Sequence, residues 1–226
     1  MNTLRFTFAL LCSLVVTLAS AQNTGGTEAT EKAPVFGGAA IYVDAVGPIM
    51  KAFGSAGSNM EVGVRINFKE KFFPVGELGI GTCSRNGAEN TNHFSTTAPF
   101  FRVGMDYNIN KKVNGNRFFA GGRYGFSSFK YDFTNAELID PVWHTLSPLS
   151  VESQSATCHW LELVVGVETK LWCFIRLGFT ARMKFQLANM GSTYGDPYYI
   201  PGFGRNGQPF GGTFYVAFDV GKSAKK

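Results

Sequence analysis

From Gly37 onward, apolar and polar residues alternate with a period of two, as expected of strands whose two faces meet different surroundings. The stretch FIRLGFTARMKFQL, residues 174–187, is the cleanest case. Ile175, Leu177, Phe179, Ala181, Met183 and Phe185 share one parity; Arg176, Gly178, Thr180, Arg182 and Lys184 share the other. Eight segments carry the pattern, near 37–46, 59–69, 72–82, 99–110, 117–131, 159–170, 173–187 and 210–221. Most reach ten or more residues, long against the usual five or six and matched to the roughly 9–11 that a tilted membrane strand needs. No amphipathic helix of good length competes with them.

The connections sort by length. Lys69-Glu70-Lys71, the segment NKKVNGN with its Asn114-Gly115 turn signal, and a few residues around Leu171 make short turns. The segments 47–58, 83–98, 132–158 and 188–209 are longer. In an up-and-down order every short turn falls at one end and every long loop at the other, the pattern of outer-membrane barrels.

Followed through all eight segments, one parity is apolar throughout. Its members Ile41, Met60, Val62, Val64, Leu78, Ile80, Phe101, Val103, Met105, Tyr124, Phe126, Leu161, Leu163, Val165, Val167, Phe214, Val216 and Phe218 include no charge. The other parity holds the acids Asp44, Glu61, Glu77, Asp106, Glu162, Glu168 and Asp219 and the bases Arg65, Arg102, Arg123, Arg176, Arg182 and Lys184. It is also rich in glycine, at positions 63, 79, 81, 104, 121, 125, 166 and 178. Two packings compete. With the apolar set inward, the chain is a soluble, lipocalin-like secreted binder. Its many outward glycines then weaken the strands for no packing gain. With the apolar set outward, glycines leave room in a narrow lumen for acids and bases that must pair, because an isolated buried charge is costly. An eight-stranded barrel is just wide enough for side chains to fill it. Phe68, Phe72, Tyr107, Phe118 and Trp172 gather near the short-turn end, where an interfacial girdle belongs. The second packing is the expectation: an all-β, eight-stranded, up-and-down antiparallel transmembrane barrel over residues 37–221, its lumen plugged by ion pairs.

Composition agrees. Charged residues are 16% of the 226, Phe numbers 22 and Gly 27, against about 25% charged in soluble domains. The net charge of +5 comes with no basic run interleaved with aromatics, so nucleic acid is set aside. The N-terminus MNTLRFTFALLCSLVVTLASAQ has Arg5, an apolar core and Ala19-Ser20-Ala21 before Gln22, and predicts a cleaved secretory signal over 1–21. The core is short for a spanning anchor. Residues 22–36 form a polar lead-in and 222–226 a basic tail. Cys83, Cys158 and Cys173 remain after cleavage, an odd count that leaves at least one unpaired; whether Cys83 and Cys158 pair is open.

Candidate chemistry is sparse, and no metal, cofactor or catalytic constellation is assigned. His93 and Ser95 have the His-x-Ser spacing that outer-membrane lipid hydrolases use, but fall in a predicted loop without an orienting acid. His144, and His159 with Glu152 and Ser155, are weaker still. The segment YGDPYYIPGFGRNG is the most distinctive loop. Tyr194, Asp196, Pro197, Tyr198, Tyr199, Pro201 and Phe203 are either a recognition surface for a protein or glycan or a lid over the barrel mouth packed on Trp143 or Trp160. The alternating, aromatic last strand resembles the signal read by the barrel-assembly machinery.

Four blocks, KEKFFPVGELGIG, RYGFSSFKYDF, ESQSATCHWLELVVGVETKLW and GDPYYIPGFG, together resemble an uncharacterised Bacteroidota family of predicted outer-membrane barrels, a domain of unknown function. The resemblance implies an outer-membrane location in a Gram-negative cell, with membrane lipid as surroundings, and a barrel fold. It implies no activity and no site residue.

Overall fold

The computed structural model describes residues 36–220 except 45, 70, 87–91, 111–115, 136–138, 140, 141, 144, 173 and 191–195. The predicted signal and lead-in up to residue 35, His144, Cys173, Tyr194 and the basic tail lie outside the described residues. Strands β1 (Phe36–Asp44), β2 (Gly57–Phe68), β3 (Phe72–Asn86), β4 (Asn92–Asn108), β5 (Arg117–Asn135), β6 (Leu149–Lys170), β7 (Ile175–Met190) and β10 (Phe210–Val220) form the main sheet. Helix α1 (Val46–Ala52) links β1 to β2, and a small hairpin, β8 (Tyr199–Ile200) and β9 (Gly204–Arg205), lies between β7 and β10. The eight long strands pair antiparallel with their neighbours in sequence, and β10 pairs back onto β1, so the sheet closes as a barrel. Among the described residues no helix is long and apolar enough to cross a membrane.

Two of the predicted long loops, 83–98 and 132–158, are strand over more than half their length, and the third, 188–209, is entered by the end of β7. β3 runs on to Asn86, β4 begins at Asn92, β5 reaches Asn135, β6 begins at Leu149 and β7 reaches Met190. The reason is local. Beyond Phe101 the outward face of β4 turns polar, with Thr97, Ser95 and His93, while Phe94, Ala98 and Phe100 stay buried. Polar outward residues hide the alternation, although the inward aromatics keep it. The fourth loop, 47–58, contains α1.

These extensions make the barrel lopsided. β3 to β7 have 15 to 22 residues, whereas β1, β2 and β10 have 9 to 12. One wall is tall and the other low. Across the gap lie α1 and the 196–209 segment, which packs into the mouth against the tall wall. The largest buried apolar cluster is therefore at this loop end: Phe94, Phe100, Phe129, Tyr131 and Trp160 of the wall with Tyr199, Ile200 and Phe203 of the segment.

The apolar parity faces outward around the whole barrel. Leu78, Leu163, Val103 and Ile80 are each more than half exposed, and the whole charged set lies inside. Phe68, Phe72, Tyr107, Phe118 and Trp172 are exposed near the short turns, with the Phe72 and Tyr107 ring centroids 5.4 Å apart. The inward glycines have a specific use. Gly63, Gly79, Gly125, Gly166 and Gly178 stand directly across from Tyr42, Phe100, Trp160, Phe119 and Tyr215 on the neighbouring strand. A side chain at any of the five would overlap the facing ring. Each glycine is thus the seat of an inward aromatic laid flat along the wall, and the rings together with the charges fill the lumen.

Candidate functional site

Strand alternation alone brings the charged parity to the axis, and narrowness does the rest: residues from non-adjacent strands meet across the lumen. Near the short turns Glu168 (β6) accepts from Arg65 (β2, 2.5 Å), Arg117 (β5, 3.3 Å), Arg176 (β7, 3.4 Å) and the Tyr215 hydroxyl (3.0 Å). Asp219 (β10) receives Arg176 at 2.9 Å. Asp106 (β4) lies 3.6 Å from Arg65 and 3.1 Å from Arg123 (β5). Arg123 then reaches upward to Glu77 (β3), which also holds Arg102 (2.9 Å), Arg182 (3.1 Å) and the Tyr42 hydroxyl (2.5 Å). Arg102 and Arg182 share Glu61 at 2.6 and 2.8 Å and Glu162 at 3.0 and 3.4 Å. Trp160 Nε1 donates to Glu162 at 2.7 Å.

The result is one connected network of six carboxylates and six guanidiniums, Asp219–Arg176–Glu168–Arg65–Asp106–Arg123–Glu77–Arg102/Arg182–Glu61/Glu162 with Arg117 on Glu168, running the length of the lumen. Every member but Asp219 is buried. Guanidinium suits this role because its planar fork of five donors can hold several carboxylates at once. Arg117 is the member the sequence reading did not include. It begins β5 on the same parity as Arg123, and that parity was the available signal.

Two charged residues expected in the network stand apart from it. Lys184 pairs in register with Glu162, yet its ammonium donates to the carbonyls of Gly202 (3.2 Å) and Phe203 (2.5 Å). Asp44 accepts from the Val46 amide at 2.8 Å, at the start of α1. Both line a cavity of about 210 Å³ at the loop end, beneath α1 and the segment before β10.

Of the distinctive loop, Pro197, Tyr199, Pro201 and Phe203 are buried, so they do not offer a recognition surface; Asp196 is exposed, and Tyr198 is half-buried against the apolar cluster. The segment is the lid rather than a free loop. Tyr199 Oη donates to Asn59 Oδ1 (2.7 Å), which also accepts from the Gly202 amide (3.3 Å). Burial holds the Tyr199 phenol above its ordinary range. Arg102 Nη2 donates to the Gly202 carbonyl (2.8 Å), and Phe203 meets Trp160 edge-on at 6.0 Å. Gly202 has a φ of +82° and sits under the Phe100 ring, where only glycine fits. Trp143 is exposed. At the rim, the half-buried Tyr198 ring meets Phe94 edge-on at 5.9 Å and is flanked by the guanidiniums of Arg85 (4.7 Å) and Arg205 (5.3 Å).

His93 and Ser95 lie in β4 rather than in a loop, both on its outer side. His93 Nδ1 is 2.7 Å from Asn86 Oδ1 on β3. Ser95 stands across from Asp132, whose carboxylate accepts from the Ser153 amide at 2.8 Å. Among the described residues no hydrogen bond joins Ser95 to His93, and the pair is about 20 Å along β4 from Phe101, well past the apolar belt. His159 bonds the Tyr124 hydroxyl through Nδ1 at 2.5 Å; it is about 23 Å along β6 from Glu152, so those two do not meet. Cys83 and Cys158 are both buried and free, which resolves their pairing.

No curated protein and no solved structure matches the chain. A family model described as a domain of unknown function (DUF6048) matches residues 1–220, the predicted signal and the whole barrel together. The chain belongs to that family, DUF6048.

Proposed function

We propose that this protein is an outer-membrane β-barrel of a Gram-negative cell, exported through its N-terminal signal, closed to general solute flow by its ion network, and structural or interacting in role through its loop end. The observation that carries this is the outward apolar belt on a closed barrel with its charges inside. From Ile175 to Phe185, β7 spans about 33 Å of strand, or about 25 Å of height at a tilt of about 40°, the height of a bilayer's apolar band. In water such a belt would be one contiguous exposed apolar surface far beyond the few hundred Å² that soluble monomers tolerate. A lipocalin-like protein would carry the opposite parity. The neutral network argues against a pore, since a passing solute would have to break buried ion pairs, each costly to open.

Membrane fractionation tests the proposal. Carbonate and urea washing should leave the protein in the membrane, and detergent should extract it as a species whose gel mobility changes on boiling. Release of folded protein by the washes alone would overturn the membrane assignment. Recovery of the mature chain with Gln22 at its N-terminus is the matching expectation for export; retention of Met1 would refute it.

A further inference from the structure

The cavity at the loop end contains chemistry that the ion network does not absorb. That network is neutral by itself. Lys184 is an additional charge, 9% exposed, and among the described residues no carboxylate lies within 4 Å of it. A buried ammonium needs more than carbonyl dipoles to balance it. Two of its three N–H donors go to the Gly202 and Phe203 carbonyls, leaving one free. Gly211 of β10 faces inward beside it, and a Cβ at that position would stand in ordinary van der Waals contact with Lys184, 3.4 Å from Cε and 3.5 Å from Nζ. The exposed Arg205, whose guanidinium flanks the Tyr198 ring at 5.3 Å and makes no ion pair among the described residues, lines the rim of the same cavity. The other polar lining groups are Asp44, Ser58, Asn59, Gln208 and Thr213, of which Asp44 already accepts an α1 amide; Glu61, Arg102 and Arg182 also reach the cavity wall, paired with one another. The cavity of about 210 Å³ would take about seven waters at about 30 Å³ each, or one six-membered sugar ring. A short carboxylate and amide rim that accepts and donates to hydroxyls, with the Phe203 ring at one side, fits a polyol face; the two cations fit an acid.

We propose that this mouth cavity binds a small hydroxylated organic anion of the uronic acid class, its carboxylate on Lys184 and Arg205 and its hydroxyls toward Asp44, Gln208 and Thr213. The site is geometric and does not depend on the membrane assignment.

Calorimetric titration of the full chain in detergent with glucuronate, glucose and sulfate separates the parts of the claim. Glucuronate should bind saturably below about 20 mM, and glucose and sulfate at least about tenfold more weakly, the discrimination expected when a charge and a hydroxyl face are both read. Lys184→Gln should abolish binding. Because that residue also ties down the 202–203 segment, Arg205→Gln, on an exposed side chain, and Gly211→Val, which fills the cavity, are the safer variants; each should weaken glucuronate about tenfold with gel mobility unchanged. Equal binding of glucose would overturn the anion site, equal binding of sulfate the hydroxyl face. Binding that survives in both Arg205→Gln and Gly211→Val, or no saturation by about 20 mM, would overturn the site altogether.

Discussion

Arg102 is the most informative single position in the lumen. Its guanidinium touches Glu61 at 2.6 Å, Glu77 at 2.9 Å and Glu162 at 3.0 Å, and donates to the Gly202 carbonyl of the lid at 2.8 Å. Removing it leaves the network's six carboxylates, five of them buried, facing five guanidiniums. Breaking a buried pair from one side costs about 3–5 kcal/mol, because the abandoned charge stays buried, and a lost lid hydrogen bond adds about 1 kcal/mol. Arg182 still reaches all three carboxylates, which holds the total toward the lower part of that sum. We expect Arg102→Met to destabilise the barrel by about 4 kcal/mol, roughly a thousandfold in the folded-to-unfolded ratio. The assay is the urea-dependent folding equilibrium in lipid vesicles, followed by tryptophan fluorescence and by the boiling-dependent mobility shift. Lys130→Ala, on an outward side chain, is the control and should stay within about 0.5 kcal/mol. The double variant Arg102→Met/Glu162→Gln restores charge balance and should recover about 1–2 kcal/mol relative to additivity. A loss below about 1 kcal/mol for Arg102→Met, or strict additivity in the double variant, would refute the view that charge balance in the lumen governs stability.

Three further outcomes follow from other parts of the molecule. Val165→Arg, at mid-height of the outward belt across from Ala181, should cost about 2–4 kcal/mol on folding into vesicles if the belt meets lipid, whereas a water-facing site would change by no more than about 0.5 kcal/mol; the same equilibrium measures it. Gly178→Val should cost about 1–3 kcal/mol by overpacking Tyr215, while Gly76→Ala, which meets nothing within 4 Å, should be neutral to slightly stabilising, and equal effects would remove the space-filling argument for the inward glycines. Asn59→Ala removes the acceptor that holds both Tyr199 and the Gly202 amide, and limited proteolysis should then cut between residues 196 and 208 at least about tenfold faster, corresponding to about 1–3 kcal/mol of local opening.

Much of this architecture was legible because strand parity is a strict code. One residue of slip would have put every charge outside, so thirteen scattered acids and bases could be assigned to the lumen side together. What escaped was whatever needs cross-strand register or depth. Tyr42, Phe119, Trp160 and Tyr215 share the charged parity, and hydropathy cannot say that they seat on Gly63, Gly166, Gly125 and Gly178; only the pairing of strands does. Arg117 opens the 117–131 segment on the parity of Arg123 but was not counted with the lumen charges, because its partner Glu168 is fixed only by strand pairing. The strand extensions were hidden because a wall rising beyond the apolar belt keeps its inner alternation and loses its outer one. The lid posed a different difficulty: Tyr199 and Phe203 look like exposed recognition aromatics until the low wall that they lean across is known.

That low wall also locates the molecule's unspent chemistry. The lumen network is neutral, connected and shielded, so each of its charges already has its partner, and a solute offered to it gains nothing that it does not first break. Height differences among the strands concentrate everything else at one rim. Where β1, β2 and β10 stop short, the lid is held by Asn59 of β2 and by Arg102 and Lys184 of the tall wall, and Lys184 gives its hydrogen bonds to the lid carbonyls rather than to Glu162. Its side chain lines a cavity there. The network that we propose closes the barrel to passage thus leaves at its mouth an ammonium held by two lid carbonyls rather than by a carboxylate.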